Sequence, residues 1–200
     1  KENLMAKGEE TKQRIIEQAA AYLNRHGYFS TAISEIMEIT GMRKGGIYNH
    51  FASKEDLALQ AFDYAVEQVA QKFAEALRGK ESAMDRLLAM IGYFRSYVED
   101  IPIPGGCPVM NCAIEGDDAY PVLRDRARLA MDRLRQAFIR ILAKGISNGE
   151  IRPDINPDEV TTLLIASLEG GVMLSNLYKD PIHMHRVLDH LTKYALTLRT

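Results

Sequence analysis

Residues 39–54 form a stretch of positive charge that can bind phosphate groups. Arg43, Lys44 and Lys54 lie in this stretch, and no acidic residue does. Arginine and lysine neutralise nucleic-acid phosphates and read guanine edges. Lys54 stands where the next helix should begin, and a helix N-terminus itself attracts anions. The local charge therefore favours a nucleic-acid contact, although the net charge of the whole chain is −2.

The residues between these cations can read a DNA groove. Asn49 can make two hydrogen bonds to adenine, and Tyr48 and His50 can reach phosphates. Gly45 and Gly46 are poor helix formers, and each costs a helix about 1 kcal/mol against alanine. Small residues at the tip of a helix let its backbone come close to DNA. We therefore predict a thin, cationic helix tip that enters the major groove.

The segments around this tip have the pattern of short helices joined by a tight turn. Apolar residues from Thr11 to Asn24 follow helical spacing, and Gly27 ends that helix. Thr31 is the predicted N-cap of a second helix and a further predicted DNA contact, and Gly41 ends this helix. A third short helix over residues 43–51 follows. The arrangement predicts a helix-turn-helix.

The remainder of the chain predicts more helices, because we find no alternating strand pattern. The prolines and glycines of residues 101–108 make the strongest break in the helical pattern, and residues 102–108 are a candidate lid or entrance segment. The predicted helices span about residues 54–78, 82–99, 109–115, 120–147, 157–178 and 181–198.

Composition indicates a soluble globular chain, with 46% hydrophobic and 26% charged residues. No apolar run approaches the roughly 18–20 residues that cross a bilayer. The charged N-terminal segment has no apolar core and is not a signal peptide, and Met5 is a candidate natural start. We therefore expect a cytoplasmic protein with no membrane partner.

Residues 31–57 resemble the DNA-binding segment of the TetR family of bacterial one-component regulators. The recognition helix of that family usually reads Ser-Lys-Gly-Thr-Leu-Tyr-x-His-Phe, followed by Ser-Lys-Glu. The resemblance extends over about residues 12–59. The matching positions are Lys44, Gly45, Tyr48, His50, Phe51, Ser53, Lys54 and Glu55.

Two positions depart from the family pattern. Arg43 stands where the family has a Ser or Thr cap, and Gly46 stands where a Thr or Ser usually follows the first glycine. Arg43 cannot cap the helix with its side chain, so we expect it to contact DNA. Gly46 lacks a hydroxyl that could touch phosphate. The departures predict an altered operator preference with DNA binding retained.

The resemblance implies an all-α fold of about nine helices. It assigns residues 1–53 to a three-helix DNA-binding domain and residues 54–200 to a ligand-binding and dimerisation domain. The implied function is a ligand-responsive transcriptional regulator, most commonly a repressor. Such a protein binds a palindromic double-stranded DNA operator as a homodimer, and a small-molecule effector releases it. We expect no cofactor and no metal.

The last two predicted helices provide the implied dimer interface. Residues 160–178 carry one charge, Glu169, and such a helix is buried on all sides, either in a core or against a partner. Gly170 and Gly171 are costly unless another helix comes close. The predicted interface residues are Leu164, Leu168, Gly170, Gly171, Leu174, Val187, Leu191 and Tyr194.

The helices of residues 82–147 hold the candidates for the implied ligand pocket, each of which also reads as ordinary core. Residues 124–144 contain seven basic residues and two acids, which indicates a solvated face from which one arginine could turn inward to an anionic effector. The candidate ligand-lining residues are Met90, Phe94, Tyr97, Cys107, Met110, Asn111, Met131, Arg135 and Phe138.

Other classes of function remain open at this point. Cys107 and Cys112 allow a thiol redox sensor, which needs an exposed thiol with a lowered pKa. A helical adaptor with a vestigial recognition helix is another alternative. An enzyme is not expected, because residues 41–46 lack the spacing of a phosphate-binding loop and His183 and His185 fall on different helix faces.

Overall fold

The computed structural model describes residues 2–116 and 120–200, with side chains from residue 7 onward. This described part is all-α, as predicted, with one isolated bridge between Ile151 and Arg199. The one helix predicted over about residues 82–99 is divided into two, Ala83–Tyr93 and the single-turn Ser96–Glu99. The helices are α1 (Glu2–His26), α2 (Ile33–Thr40), α3 (Lys44–Tyr48), α4 (Lys54–Leu77), α5 (Ala83–Tyr93), α6 (Ser96–Glu99), α7 (Pro108–Gly116), α8 (Pro121–Ser147), α9 (Pro157–Tyr178) and α10 (Ile182–Leu196).

Helices α1, α2 and α3 form the predicted helix-turn-helix region. The buried stripe of α1 includes Ile15, Ala19 and Leu23, each with no exposed surface. Gly41 ends α2 with a φ of 65°, and its N–H donates to the carbonyl of Glu38. Only a residue that tolerates a left-handed backbone can make this tight turn without strain. The turn therefore delivers the chain directly into α3.

The structure divides into two compact units. The first comprises Lys1–Val69 and Ile103–Arg128, and the second comprises Ala70–Pro102 and Leu129–Thr200. Helices α4 and α8 each have residues in both units. The first unit extends beyond the predicted boundary at residues 53 and 54. The boundary between a DNA-binding domain and a ligand-binding domain at residues 53 and 54 stays a prediction.

Helices α5, α9 and α10 build the core of the second unit. Leu87, Leu164 and Leu168 have no exposed surface, and Met184 of α10 is likewise fully buried. A Cβ atom at Gly171 would lie 3.0 Å from the Met184 Cε atom, so a glycine allows α10 to pack closely on α9. The costly glycine of α9 thus serves helix packing within the chain.

Within the part of the chain that the structure describes, one helix, α9, is long and apolar enough to cross a membrane. Half of its most apolar window is buried against the rest of the protein. Core helices of soluble proteins pass the same length and composition test. The observation is therefore weak support for a membrane segment.

Candidate nucleic-acid interface

The recognition helix α3 is anchored by two apolar side chains. Ile47 is 1% exposed and Phe51, just beyond the helix, is 2% exposed. The Lys12 ammonium lies 5.7 Å from the centre of the Phe51 ring, a favourable cation–π position. Burial of these two residues fixes the face of α3 that turns inward, and hence the face that remains in solvent.

The solvent face of α3 carries the predicted DNA-reading groups. Arg43, Lys44 and Asn49 are exposed, and Tyr48 is 38% exposed. None of these four side chains makes a hydrogen bond or an ion pair with another described residue. Arginine and lysine without acidic partners keep their full capacity to bind phosphate or guanine. The structure thus gathers four of the predicted contacts on one open surface.

Arg43 occupies the N-cap position of α3 without capping it. Its backbone is extended, with φ −76° and ψ 155°, and its side chain makes no cap hydrogen bond. The carbonyl of Arg43 accepts the N–H of Ile47 at 3.2 Å. The guanidinium is therefore not held by the helix that it precedes, as the departure from Ser or Thr predicted.

The two glycines of α3 have different surroundings. A Cβ atom at Gly45 would meet nothing within 4 Å, whereas one at Gly46 would lie 2.9 Å from the Met42 Cε atom. Gly46 therefore makes room for a neighbouring side chain. Among the described residues, no contact requires Gly45 to be a glycine.

His50 is less open than its neighbours. It is half-buried, and its ring stands 6.4 Å from that of Phe51 in an edge-to-face arrangement. The ring therefore packs at the end of α3 with part of its surface still in solvent.

The structure corrects the roles expected of Thr31 and Lys54. Thr31 is 2% exposed and its hydroxyl donates to the carbonyl of Gly27 at 2.7 Å, so it does not belong to the open surface. The Lys54 Nζ atom donates to the carbonyls of Phe29 at 2.5 Å and Thr31 at 3.1 Å. The chain between α1 and α2 is non-helical, and its carbonyls need donors. Lys54 thus supports this loop from within the protein.

The N-cap of α2 is Ala32, and the predicted cap at Thr31 was wrong. The backbone of Ala32 is extended, and its N–H donates to the Glu35 carboxylate at 2.7 Å. Tyr22 of α1 donates to the same carboxylate at 2.8 Å. These contacts, with that of Ala32 foremost, lower the pKa of Glu35. This link between α1 and α2 was not predicted from the sequence, although an acid three residues after an N-cap is a known signal of a helix start.

The candidate ligand-lining residues separate between the two units. Cys107, Met110 and Asn111 lie in the first unit, and the other six lie in the second. The Asn111 amide donates to Asn24 and to the carbonyl of Gly105, so it serves the packing of the loop. The predicted set is therefore not one cluster within one unit.

Within the second unit, four of the candidates are core residues. Met90, Phe94, Tyr97 and Phe138 are at most 2% exposed, and Met131 is half-buried. The Phe94 and Tyr97 rings lie 5.4 Å apart, in an aromatic cluster that also contains Phe73 and Tyr93.

Arg135 is half-buried and pairs with Asp158 at 2.5 Å. It also donates to the Thr162 hydroxyl at 3.1 Å. The arginine that could have turned inward to an anionic effector is thus used at the surface.

A cavity of about 230 Å³ lies in the second unit at the end of α9 and the start of α10. Tyr97 lines it together with Ser175, Asn176 and Lys179, and it is the one predicted ligand residue that does so. Lys179 has a φ of 52°, a left-handed backbone that a lysine rarely adopts. The cavity is smaller than the 300–1,000 Å³ typical of pockets for drug-sized ligands.

The predicted dimer residues face two directions. Leu164, Leu168, Gly171 and Leu191 are buried inside the subunit, and the other four predicted residues are half-buried. The apolar side chains of α9 that are most exposed to solvent are not among the predicted interface residues. They are Leu163, Met173, Leu177 and Tyr178, which are 59%, 47%, 69% and 63% exposed.

Neither Cys107 nor Cys112 forms a disulfide, and both are buried, at 4% and 0% exposure. Burial raises the pKa of the Cys112 thiol far above its usual value, with smaller contributions from Glu115 and Cys107. A redox sensor needs the opposite environment. Among the described residues, no group of three or more His, Cys, Asp or Glu side chains is placed to hold a metal ion.

Comparison with known families accounts for both parts of the chain. Residues 15–61 match the family of bacterial regulatory proteins of the tetR type, and residues 83–191 match the tetracyclin repressor-like C-terminal domain. The chain belongs to the TetR family. It is therefore a helix-turn-helix transcriptional regulator and not an enzyme.

Relatives and solved structures agree with this assignment. A TetR transcriptional regulator from Chloroflexus aurantiacus is 45% identical, with a TM-score of 0.94 over 97% of this chain and 98% of that one. An uncharacterized HTH-type transcriptional regulator of Mycobacterium tuberculosis is 28% identical over 94% of this chain and 97% of its own length. The HTH-type transcriptional repressor DhaR of a Mycobacterium species is 24% identical over 84% of each chain.

Proposed function

We propose that the protein is a ligand-responsive repressor that binds a palindromic DNA operator as a homodimer in the cytoplasm. The observation that carries this proposal is the open surface of α3. Arg43, Lys44, Tyr48 and Asn49 point to solvent without partners, on a helix that Ile47 and Phe51 hold in place. Exposed cations beside an amide and a hydroxyl match what phosphates and base edges accept. Repression is consistent with the relative DhaR, which is named as a transcriptional repressor.

A homodimer would use the exposed stripe of α9. Leu163, Met173 and Leu177 recur at helical spacing and remain in solvent in the single subunit. Gly170 lies on the same face, and a Cβ atom there would meet nothing within 4 Å, so a partner helix could come close. Two copies related by a twofold axis would bury these side chains together. The pairing would set two α3 helices about 34 Å apart on successive half-sites.

An effector would act by shifting the population between two arrangements of the subunit. Helix α4 runs by residue content from the first unit into the second, so a change at its C-terminal end is carried along the chain toward α3. The effector must bind the low-affinity arrangement more tightly, because equal affinity for both arrangements shifts nothing.

Substitution of two surface residues of α3 tests the proposal. The variant Lys44→Ala/Tyr48→Phe removes one cation and one hydroxyl and leaves Ile47 and Phe51 in place. We expect it to keep the helical content of the wild type and to lose specific DNA affinity by at least about tenfold, since each base or phosphate contact is worth about 1–3 kcal/mol. The measurement is anisotropy of labelled operator DNA.

The matched control is Lys80→Ala, an exposed lysine with no described side-chain contact. It should bind DNA like the wild type. Equal affinity of the wild type and the α3 variant would contradict the proposal and favour a helical adaptor.

A further inference from the structure

Glu115, near the end of α7, binds the loop between α1 and α2 through three backbone N–H groups. Its carboxylate accepts the N–H of Tyr28 at 2.6 Å, of Phe29 at 2.8 Å and of Ser30 at 3.0 Å. Three successive peptide N–H groups on one carboxylate are charge-assisted hydrogen bonds, roughly twice as strong as neutral ones. The Glu115 carboxylate therefore replaces the carbonyl acceptors that a helix would have provided for the N–H groups of residues 28–30.

The rest of α7 is fixed on the C-terminal end of α1. Asn111, one helical turn before Glu115, donates to the carbonyl of Asn24 at 3.0 Å. The Asn24 amide donates in return to the carbonyls of Pro104 and Gly106, at 3.0 Å each. Gly105 fits only as glycine, because its φ is 109° and a Cβ atom would lie 2.6 Å from the Asn24 carbonyl oxygen. Asn111 and Glu115 thus form one face of α7 that holds α1 and the loop after it.

Lys54 holds the opposite, carbonyl side of the same loop. Its ammonium binds the carbonyls of Phe29 and Thr31, so the peptides of residues 28–31 lie between a carboxylate and an ammonium. Lys54 begins α4 three residues after Phe51, the anchor of the recognition helix. Polar contacts therefore run from α7 through the loop to Lys54, and the chain segment of residues 51–54 joins Lys54 to the anchor of the recognition helix.

We propose that Glu115 is a positioning residue for DNA binding: through the α1–α2 loop and Lys54 it sets the angle of the recognition helix. The inference deepens the proposed function and rests on it. Helix α7 directly follows residues 102–108, the segment that the sequence marks as a candidate lid over an effector pocket. An effector that moves this segment would reach α3 by way of Glu115.

Glu115→Gln is the decisive variant, because it keeps the shape of the side chain and removes its charge and one acceptor oxygen. Glu81→Gln is the matched control, since Glu81 is exposed and makes no described side-chain hydrogen bond. The probe is the duplex that the wild type selects from a random-sequence library, compared with a scrambled duplex at the same salt concentration.

We expect Glu115→Gln to bind the selected duplex about tenfold more weakly, because charged hydrogen bonds to the loop are lost. Affinity for the scrambled duplex should change no more than it does in Glu81→Gln, which removes the same charge, because non-specific binding depends on charge and not on helix angle. A purely structural role would not alter the ratio of the two affinities at a temperature where circular dichroism shows the wild-type fold. Glu81→Gln should match the wild type on both duplexes.

A double-mutant cycle with Lys54→Met tests the route through the loop. If both residues act on one loop, the double variant is weaker than the wild type by less than the product of the two single effects. Glu115→Asp, which keeps the charge and shortens the reach, should show an intermediate loss and serves as a second variant.

The outcomes separate the two levels of the proposal. A wild type that selects no sequence contradicts the proposed function itself. A wild type that selects a duplex, together with Glu115 variants whose ratio of affinities equals that of the wild type, overturns the positioning role alone. An equal loss on both duplexes, or effects of Glu115 and Lys54 that multiply, overturns it as well.

Discussion

Gly45→Ala should move stability and DNA affinity in opposite directions. In the free protein a Cβ atom at this position meets nothing within 4 Å, and the backbone of Gly45 is not left-handed. Alanine is therefore accommodated without strain. The glycine is unfavourable for the helix, and the proposed function accounts for it by a close approach of DNA to its backbone.

The expected magnitudes follow from this geometry. Replacing an exposed helical glycine by alanine stabilises a protein by about 0.5–1 kcal/mol. For a chain of this size, that corresponds to a rise in melting temperature of about 1–4 °C. A methyl group forced into a packed contact costs about 1–3 kcal/mol. With two recognition helices on one operator, DNA affinity should fall by at least about thirtyfold.

Thermal unfolding and anisotropy titration of operator DNA measure the two effects separately. Gly92→Ala is the matched control, because Gly92 is an exposed helical glycine of α5 whose Cβ would also meet nothing within 4 Å. That variant should gain similar stability and keep the DNA affinity of the wild type.

The reasoning is refuted if Gly45→Ala binds operator DNA as tightly as the wild type. The backbone at Gly45 would then stand away from DNA, and the tip of α3 would not be the close-approach surface. A loss of stability in the same variant would show that a contact inside the protein requires a glycine at position 45.

Three further predictions follow from the described contacts. Leu163→Arg/Leu177→Arg should convert the proposed dimer to a monomer of unchanged helical content, since both side chains are exposed in the subunit; light scattering after size exclusion measures this. Cys107 and Cys112 should not react with Ellman's reagent in the native protein and should both react in urea, because both thiols are buried. Glu35 has a lowered pKa in the folded state, so its contribution to stability is present above about pH 4.3 and is lost as the pH falls through the folded pKa. Glu35→Gln should therefore lower the urea midpoint at pH 7 and lose less stability on acidification than the wild type does.

Local patterns were sufficient to predict the helices and the open face of α3. Helical spacing of apolar residues identifies α1, and glycines at 27 and 41 mark where α1 and α2 end, because glycine adopts the φ values of 100° and 65° found there without steric cost. The exposed positions of α3 follow from the two that must be buried, Ile47 and Phe51. Each of these inferences depends on contacts within a few residues.

Contacts between distant parts of the chain could not be predicted in this way. Lys54 was expected to bind phosphate, but its ammonium donates hydrogen bonds to carbonyls 23 and 25 residues earlier in the chain. Glu115 binds a loop 85–87 residues away in the chain, and no local residue spacing predicts that contact. Helix α9 is apolar all round, so its sequence alone does not distinguish the face toward α10 from the face toward solvent.

The most direct test of the central claim is an anisotropy titration of the DNA that flanks the protein's own gene, at two salt concentrations. Surface cations of α3 that bind an operator predict tight, sequence-selective binding that weakens steeply as the salt concentration rises. Weak binding that is equal on scrambled DNA at both salt concentrations would contradict the account.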